Sequence, residues 1–191
     1  MSGNLVIVIP AAGSSSRLGR PKQLVEFEGV SLVRRAAETA IEASPDLVVV
    51  TGCEDIAVRD ALKGIPVQVI DNPDWEKGMG RSIAVGVQQS LDLFPECAGI
   101  LIFLCDLPTI DSGHLKRLIK KHGLEDLDLA YTKYTDTIGV PAVFGPRYFE
   151  DLIILDGDEG AKSIIGRGDD GRKMSVDFTG HFEDIDLPED L

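Results

Sequence analysis

The chain has 191 residues, of which 43% are hydrophobic and 27% are charged, and its formal net charge is -13. A length of about 100–200 residues is typical of one domain, and this composition excludes a wholly disordered chain. The acidic balance argues against a general nucleic-acid binder, because a phosphate backbone requires a basic protein surface. The apolar runs have the length of strands and fall short of the roughly 20 residues that span a bilayer.

The N-terminus and the cysteines predict a cytoplasmic protein. Met1 is followed by Ser, Gly and Asn rather than by a basic segment, so no secretory leader is expected. The three cysteines, Cys53, Cys97 and Cys105, are an odd number without CxxC spacing, and they indicate buried thiols in a reducing compartment. We expect one domain over residues 1–191.

Strands and helices alternate along the first two thirds of the chain. Continuous apolar runs predict strands at residues 5–9, 47–51, 67–70 and 99–104. Helical spacing of apolar residues predicts helices at 31–43, capped by Ser31, at 56–63 and 82–94, and at 111–122, capped by Asp111 or Ser112. Weaker patterns predict strands at 127–131, 142–144 and 174–178 and helices at 148–155 and 161–165. This order predicts an α/β fold, with a mostly parallel sheet and helices on both of its faces.

Three polar segments follow predicted strands, at residues 11–22, 71–82 and 105–108. In open parallel sheets, ligands bind at the carboxyl ends of the strands, near the point where the strand order reverses. We therefore expect these three segments to form the functional site.

The first of these segments combines small residues with basic ones. Ala11, Ala12 and Gly13 allow backbone N–H groups to approach phosphate oxygens. Arg17 can bind two phosphate oxygens at once, and Lys22 adds a point charge. The pattern is neither GxGxxG nor GxxxxGK[ST], but it predicts a triphosphate-binding loop. The alternative is a surface connection with incidental bases.

Carboxylates in two places suggest a magnesium site. Asp106 follows the most apolar strand, and it predicts either a metal ligand or a cap of the next turn. The alternating Asp184 and Asp186 lie on one side of an extended tail and could complete that site. The alternative for these two residues is a solvated acidic tail.

The segment 71–82 predicts contacts to the nucleoside. Asn72 and Ser82 offer hydrogen bonds to a base or a ribose, and Gly78 between them is assigned to the same nucleotide site. Trp75 could stack on a ligand or anchor the loop in the core.

The sequence Pro10-Ala-Ala-Gly-Ser-Ser-Ser-Arg17-Leu-Gly-Arg-Pro-Lys22 resembles the signature loop of the nucleotidyltransferases that act on the molybdenum cofactor. Within that group it is most similar to the cytidylyltransferases, which tend to have Ala-Ala-Gly where the guanylyltransferases tend to have a Gly-Gly pair. Further stretches agree in order and spacing, at residues 72–82, 105–108, 139–144 with 157–161, and 184–190. The resemblance therefore covers nearly the whole chain.

The resemblance implies a Rossmann-like nucleotidyltransferase fold with a mostly parallel, seven-stranded sheet. It also implies transfer of CMP from CTP to the terminal phosphate of a molybdopterin-type acceptor, with release of pyrophosphate. Arg17, Lys22 and Asp106 are then the predicted catalytic residues, and Asp106 with Asp184 or Asp186 would hold Mg²⁺. A molybdoenzyme is a candidate recipient of the product, and neither nucleic acid nor a membrane is expected as a partner.

Two positions depart from this family pattern. Leu107 stands where the family usually has a glutamine or a similar polar residue, and Val140 stands where it often has a histidine. Both are expected near the acceptor, so the acceptor could instead be another phosphate, such as a sugar or polyol phosphate. An alternative from another class is a non-catalytic module that binds the nucleotide or cofactor, which would not need the carboxylates.

Overall fold

The structure is a computed structural model that describes residues 4–15, 20–124, 127–167 and 170–180. Its strands are β1 (Asn4–Pro10), β2 (Glu26–Phe27), β3 (Val30–Ser31), β4 (Leu47–Thr51), β5 (Gln68–Asp71), β6 (Cys97–Ile102), β7 (Leu129–Lys133), β8 (Ile138–Phe144) and β9 (Lys173–Asp177). Its α-helices are α1 (Leu32–Ala43), α2 (Asp55–Ala61), α3 (Met79–Leu93), α4 (Ser112–Leu124), α5 (Phe149–Ile153) and α6 (Lys162–Arg167). No helix in these segments is both long enough and apolar enough to cross a bilayer.

Seven strands form the main sheet, in the order β5-β4-β1-β6-β8-β7-β9, and β2 pairs with β3 in a separate hairpin. Strands β5, β4, β1 and β6 run parallel to one another, and β9 runs parallel to β7. Strand β8 is antiparallel to both of its neighbours, β6 and β7. The predicted mostly parallel sheet is therefore confirmed. Because β4 and β6 lie on opposite sides of β1, the strand order reverses there, and a ligand is expected at the carboxyl end of β1.

Alternate residues of the central strand pack into two cores, one on each face of the sheet. Ile7 and Ile9 belong to the core that contains α1 and α4, whereas Val6 and Val8 belong to the core that contains α3, α5 and α6. Helix α3 lies very close to the sheet, since a Cβ added at Gly86 would lie 2.6 Å from Val8 Cγ1. The sheet is thus covered by helices on both faces, as its continuous apolar strands predict.

Some boundaries and caps differ from the prediction. Helix α3 begins at Met79 rather than at residue 82, because the N–H of Gly80 donates to the carbonyl oxygen of Gly157 and holds the first turn in place. Ser31 precedes α1 but makes no capping hydrogen bond with its side chain. Asp111 caps α4 as predicted, because its Oδ1 accepts from the N–H of His114 at 2.7 Å.

Candidate active site

The segments that follow β1 and β6 meet at the carboxyl edge of the sheet. They enclose a cavity of about 120 Å³ that is lined by Ala11, Gly13, Lys22 and Asp106, among others. The reversal of strand order between β4 and β6 separates the neighbouring connections and opens this space. The structure therefore brings the predicted phosphate loop and the predicted metal ligand together.

An ion pair joins the two segments. Lys22 Nζ lies 2.9 Å from Asp106 Oδ2, and the two side chains are only 14% and 16% exposed. The backbone N–H of Lys22 donates to Ser15 Oγ at 3.0 Å, and the buried Gln23 donates from Nε2 to the carbonyl oxygen of Gly13 at 3.0 Å. The loop is thus tied at two points to the turn Lys22–Leu24, once through Lys22 and once through Gln23. The role of Gln23 was not predicted, because no spacing signal distinguishes it from an ordinary loop glutamine.

The two carboxylate oxygens of Asp106 have different surroundings. Oδ1 is buried and has no hydrogen-bond partner among the described residues, whereas Oδ2 accepts from Lys22. Mg²⁺ prefers oxygen ligands and is commonly bound by one or two carboxylates together with phosphate oxygens and water. Asp106 therefore fits a divalent cation that is shared with a bound phosphate. The described part of the chain contains no cluster of three His, Cys, Asp or Glu residues that could hold a metal ion by itself.

Three of the predicted site residues lie outside the described residues. They are Arg17, in the phosphate loop, and Asp184 and Asp186, in the tail. Their assigned contacts to phosphate and metal stay predictions.

The thiol beside Asp106 is not a nucleophile at neutral pH. Burial raises the pKa of the Cys105 thiol to about 12, and the carboxylate of Asp106 contributes to that rise. Burial also raises the pKa of Cys53 and of Cys97, although these two residues are only half-buried, which corrects the expectation of three buried thiols.

A larger cavity of about 380 Å³ adjoins the loop on the side of α3. Ala12, Gly13, Gly78 and Ser82 line it, as predicted for a nucleotide site, and Trp75 lines it as well. A Cβ added at Gly52 would lie 2.5 Å from the Cβ of Trp75, so this tryptophan is also packed tightly against the chain that follows β4. Both interpretations of Trp75 therefore have support. We call this space the nucleotide cavity.

Asn72 lies behind the wall of the nucleotide cavity rather than in it. Its side chain has no exposed surface, and its Nδ2 donates to Ser82 Oγ at 3.0 Å. Its Oδ1 accepts from the N–H of Asp74 at 3.1 Å, which holds the start of the loop before α3. In this conformation Asn72 orients Ser82 and does not itself reach a ligand.

Gly78 allows a close approach that sequence reasoning did not anticipate. Its φ is 108°, and an added Cβ would lie 2.3 Å from the carbonyl oxygen of Gly157. The segment around Gly157 is thereby held over the N-terminus of α3, and it brings Asp158 to the nucleotide cavity. The stretch 157–161 was noted only for its resemblance, and no spacing signal marks Asp158 as a site residue.

A third cavity, of about 190 Å³, lies at Asp106 and is lined mainly by apolar side chains. Leu107 and Val140, the two positions that depart from the family pattern, both line it. Tyr134 and Lys162 are among its few polar side chains. We call this space the acceptor cavity, because both departures were expected near the acceptor.

The sheet order and the cleft at its reversal point define an open α/β protein that binds its ligand at the carboxyl ends of the central strands. Residues 7–172 match the model of the MobA-like NTP transferase domain, and the chain belongs to that family. The matched range includes Lys22 and Asp106 and ends before Asp184 and Asp186. Family membership makes the chain an enzyme, a nucleotidyltransferase, and argues against the non-catalytic alternative.

Two relatives show how broad the similarity is. Purine catabolism protein PucB of Bacillus subtilis is 27% identical over 97% of this chain and 93% of its own length. Nicotine blue oxidoreductase of Paenarthrobacter nicotinovorans is 35% identical over 60% of this chain and 55% of its own length. The two relatives are named for different processes, so they support the family and leave the acceptor to be proposed.

Solved structures agree with the fold. Rv0371c of Mycobacterium tuberculosis superposes with a TM-score of 0.83 at 26% identity, over 100% of this chain and 96% of that one. A complex of Rv0371c with manganese gives a TM-score of 0.75 at 26% identity, over 98% and 95% of the two chains. A nucleotidyl transferase from Methanothermobacter, 22% identical over 98% of this chain and 94% of its own, gives a TM-score of 0.80 and supports the fold alone.

Proposed function

We propose that this nucleotidyltransferase transfers CMP from CTP to the phosphate of an acceptor and releases pyrophosphate. The observation that carries the proposal is the 2.9 Å ion pair between Lys22 and Asp106, which holds an ammonium group and a carboxylate at one point of the cleft. Phosphoryl chemistry requires such opposite charges close together, since one binds phosphate and the other binds the cation that accompanies it.

In the proposed step, an oxygen of the acceptor phosphate forms a bond to the α-phosphorus of CTP. The bond between that phosphorus and the oxygen that bridges to the β-phosphate breaks, and its electron pair leaves with pyrophosphate. The product contains a new phosphoanhydride. An acceptor phosphate is already ionised at neutral pH, so the reaction needs alignment and charge neutralisation rather than a general base.

The residues of the nucleotide cavity would bind the triphosphate and the nucleoside. Ala12 and Gly13 line this cavity, and an added Cβ at Gly13 would meet nothing within 4 Å, so a phosphate has room to approach the backbone of the loop. Lys22, together with Arg17, would stabilise the departing pyrophosphate. Ser82 is available to the sugar or base. The choice of CTP over GTP rests on the Ala-Ala-Gly sequence at the start of the loop.

Asp106 is the residue that we expect to hold the divalent cation, Mg²⁺ in the first instance. The support is its buried Oδ1, which has no partner among the described residues. The manganese complex of Rv0371c shows that a protein of similar structure takes a divalent ion. When it is bound, the cation supplies charge neutralisation on the phosphates. Asp184 or Asp186 stays a proposed additional ligand.

Two acceptor classes are candidates. The family resemblance favours a molybdopterin-type compound. The apolar lining of the acceptor cavity, which includes Leu107 and Val140, favours a phosphate with a less polar body.

The proposal is tested by measuring pyrophosphate release from each of the four nucleoside triphosphates with Mg²⁺, with and without molybdopterin. We expect CTP to support turnover at least about ten-fold better than GTP when an acceptor is present. Thermal-shift measurements with the same nucleotides report binding independently of the acceptor. Stabilisation by GTP alone would contradict the choice of CTP, and no stabilisation by any nucleotide would contradict the proposed site.

A further inference from the structure

The acceptor cavity is large enough for a small organic group. Its volume of about 190 Å³ is more than ten times the roughly 15 Å³ that one water requires. It adjoins Asp106 at one end, and its walls come from α3, β6, β8 and the segment that begins α6. A molecule bound here would therefore lie next to the residue proposed to hold the cation.

The walls of the cavity are apolar and rigid. Ile83 and Leu107 are 1% and 5% exposed, and Ile102 is fully buried, so these side chains are held by the surrounding core. Ile138 and Val140 of β8 form the opposite wall. Branched side chains of this kind gain free energy from contact with apolar ligand atoms, but they leave a polar edge without hydrogen-bond partners.

The hydroxyl groups of the cavity are already engaged by the protein. Tyr134 donates its hydroxyl hydrogen to the carbonyl oxygen of Val140 at 2.6 Å. Thr137 Oγ1 accepts a hydrogen bond from Lys162 Nζ at 2.9 Å. A ligand with many hydroxyl or ring N–H groups therefore finds few side-chain partners along these walls.

Lys162 is the positively charged side chain among the residues that line this cavity. Its ammonium group has three donors, and the neutral hydroxyl of Thr137 takes one of them. Thr137 carries no charge, so the exposed ammonium group of Lys162 can still pair with a phosphate group of a ligand. Lys162 and Asp106 both line the cavity, so a phosphate ester bound there has charged groups for its phosphate and apolar walls for its body.

We infer that the acceptor is a phosphate monoester whose body is apolar or aromatic. The body lies against Leu107 and Val140, and Lys162 binds the phosphate. This inference rests on the proposed function, in which the acceptor phosphate attacks CTP. It makes Leu107 and Val140 the residues that select the acceptor, and it disfavours polyol phosphates and the polar edge of a pterin.

The test compares acceptors that carry the same phosphate on different bodies. The full chain is supplied with CTP and Mg²⁺ and with benzyl phosphate, glycerol 3-phosphate or molybdopterin, and pyrophosphate release is measured. We expect kcat/KM for benzyl phosphate to exceed that for glycerol 3-phosphate at least about ten-fold. Equal values, or a preference for glycerol 3-phosphate or molybdopterin, would overturn the inference and leave the nucleotidyl transfer in place.

Substitutions in the wall locate the selectivity. Leu107→Gln should raise KM for benzyl phosphate about ten-fold with little change in kcat, and it should leave KM for CTP unchanged. Leu107→Met, which keeps an apolar wall of similar volume, is the matched control and should stay within about three-fold of the parent. Val140→Thr adds a hydroxyl group at nearly constant shape, and it should also raise KM for benzyl phosphate. It replaces Leu107→Gln in the test if that variant fails to fold. A rise in KM for CTP that equals the rise for benzyl phosphate would contradict the assignment.

Failure of the inference is distinguishable from failure of the proposed function. If no nucleotide releases pyrophosphate with any of the three acceptors, the proposed function fails. Titration calorimetry of benzyl phosphate binding to the same chain then decides the inference. Binding that Leu107→Gln weakens at least about ten-fold supports it, and absent or unchanged binding overturns it.

Discussion

The nucleotide cavity and the acceptor cavity are built from different kinds of residue. Small residues, including Ala12, Gly13 and Gly78, line the first, where they leave room for a ligand to approach the backbone. Branched side chains, including Leu107 and Val140, line much of the second, together with Gly139 and Gly160. Peptide N–H groups can bind the phosphates of any nucleoside triphosphate. An apolar wall, by contrast, favours apolar ligand atoms, because a polar group against it would lose its hydrogen bonds.

This difference implies that one set of residues would serve the phosphate chemistry and another would select the acceptor. The residues proposed to bind the triphosphate line the nucleotide cavity and the space beneath the loop, and those proposed to choose the acceptor line the acceptor cavity. An α/β nucleotidyltransferase can therefore change its acceptor through side chains of the second cavity without altering the first. Asp106 borders the acceptor cavity and the space beneath the phosphate loop, as Met79 and Leu104 do, and it is the charged residue among these three.

The substitution with the largest expected effect is Asp106→Asn. Removing the negative charge should lower kcat at least about 100-fold with every acceptor, because the cation and the phosphates lose their common anchor. The amide oxygen can still accept the hydrogen bond from Lys22, so the fold should persist. Pyrophosphate release as a function of Mg²⁺ concentration provides the measurement.

Asp60→Asn is the control for that experiment. Asp60 is an exposed aspartate that pairs with Lys63 at the C-terminal end of α2, and it lines none of the three cavities described above. It should retain full activity. If Asp106→Asn keeps the activity and Mg²⁺ dependence of Asp60→Asn, the proposed reaction centre is wrong.

Lys22→Ala tests the nucleotide side alone. We expect kcat/KM to fall about 10- to 100-fold, because the departing pyrophosphate loses a cation that is only 14% exposed in the ion pair. Lys63→Ala removes a lysine that is 76% exposed and should have no effect on turnover. The acceptor preference should be the same before and after the change. A shift in that preference would show that the two cavities are not independent.

Much of this architecture could be predicted from the sequence because it depends on local signals. The apolar runs at residues 5–9 and 47–51 predict buried parallel strands, and both strands are present with those residues in the core. The antiparallel course of β8 had no such signal. Its direction follows from the short connection at residues 134–137, which joins it to β7 as a hairpin, and from pairing with β6, which is far away in sequence.

The residues of the candidate site could be predicted where the type of side chain alone indicates the chemistry. Lys22 and Asp106 carry charge, and the sheet rule places both at the same edge. Gln23 and Asp158 were missed because their positions depend on long-range contacts, such as the approach of Gly78 to Gly157. Asn72 was assigned to the ligand, but its amide is used to orient Ser82, since a polar group with no exposed surface needs a partner inside the protein.

Gly78→Ala tests the close approach that shapes the nucleotide cavity. A φ of 108° and a contact of 2.3 Å with the backbone at Gly157 should together lower the free energy of unfolding by at least about 2 kcal/mol. Gly64→Ala is the matched control, since Gly64 has a φ of 85° but open space around an added Cβ, and it should cost about 1 kcal/mol. Urea denaturation measures both variants. Equal losses would mean that backbone strain alone, and not the contact with Gly157, requires glycine at position 78.

The smallest expected effect concerns the pH dependence of stability, and it involves His114. This side chain is fully buried, and its Nε2 lies 2.9 Å from Thr132 Oγ1, whose hydrogen is donated to the carbonyl oxygen of Pro141 at 2.6 Å. The Nε2 hydrogen therefore points to Thr132, and the chain of hydrogen bonds supports the strand that contains Val140. Burial, together with the charge of Arg117, lowers the pKa of His114 to about 4, and the charge of Asp111 opposes this shift.

Stability should consequently depend on pH in a defined direction. An unfolded histidine takes up its proton near pH 6.5, whereas His114 in the folded chain resists it until about pH 4. The unfolded state thus binds more protons in this interval, and the free energy of unfolding should fall by about 2 kcal/mol between pH 7.5 and pH 5. His114→Gln retains a hydrogen-bond donor without a titratable group and should lose this dependence. Urea denaturation at the two pH values provides the measurement. If both proteins lost the same stability between these pH values, the neutral role of His114 in supporting the wall would be wrong. That outcome would not bear on the nucleotide cavity.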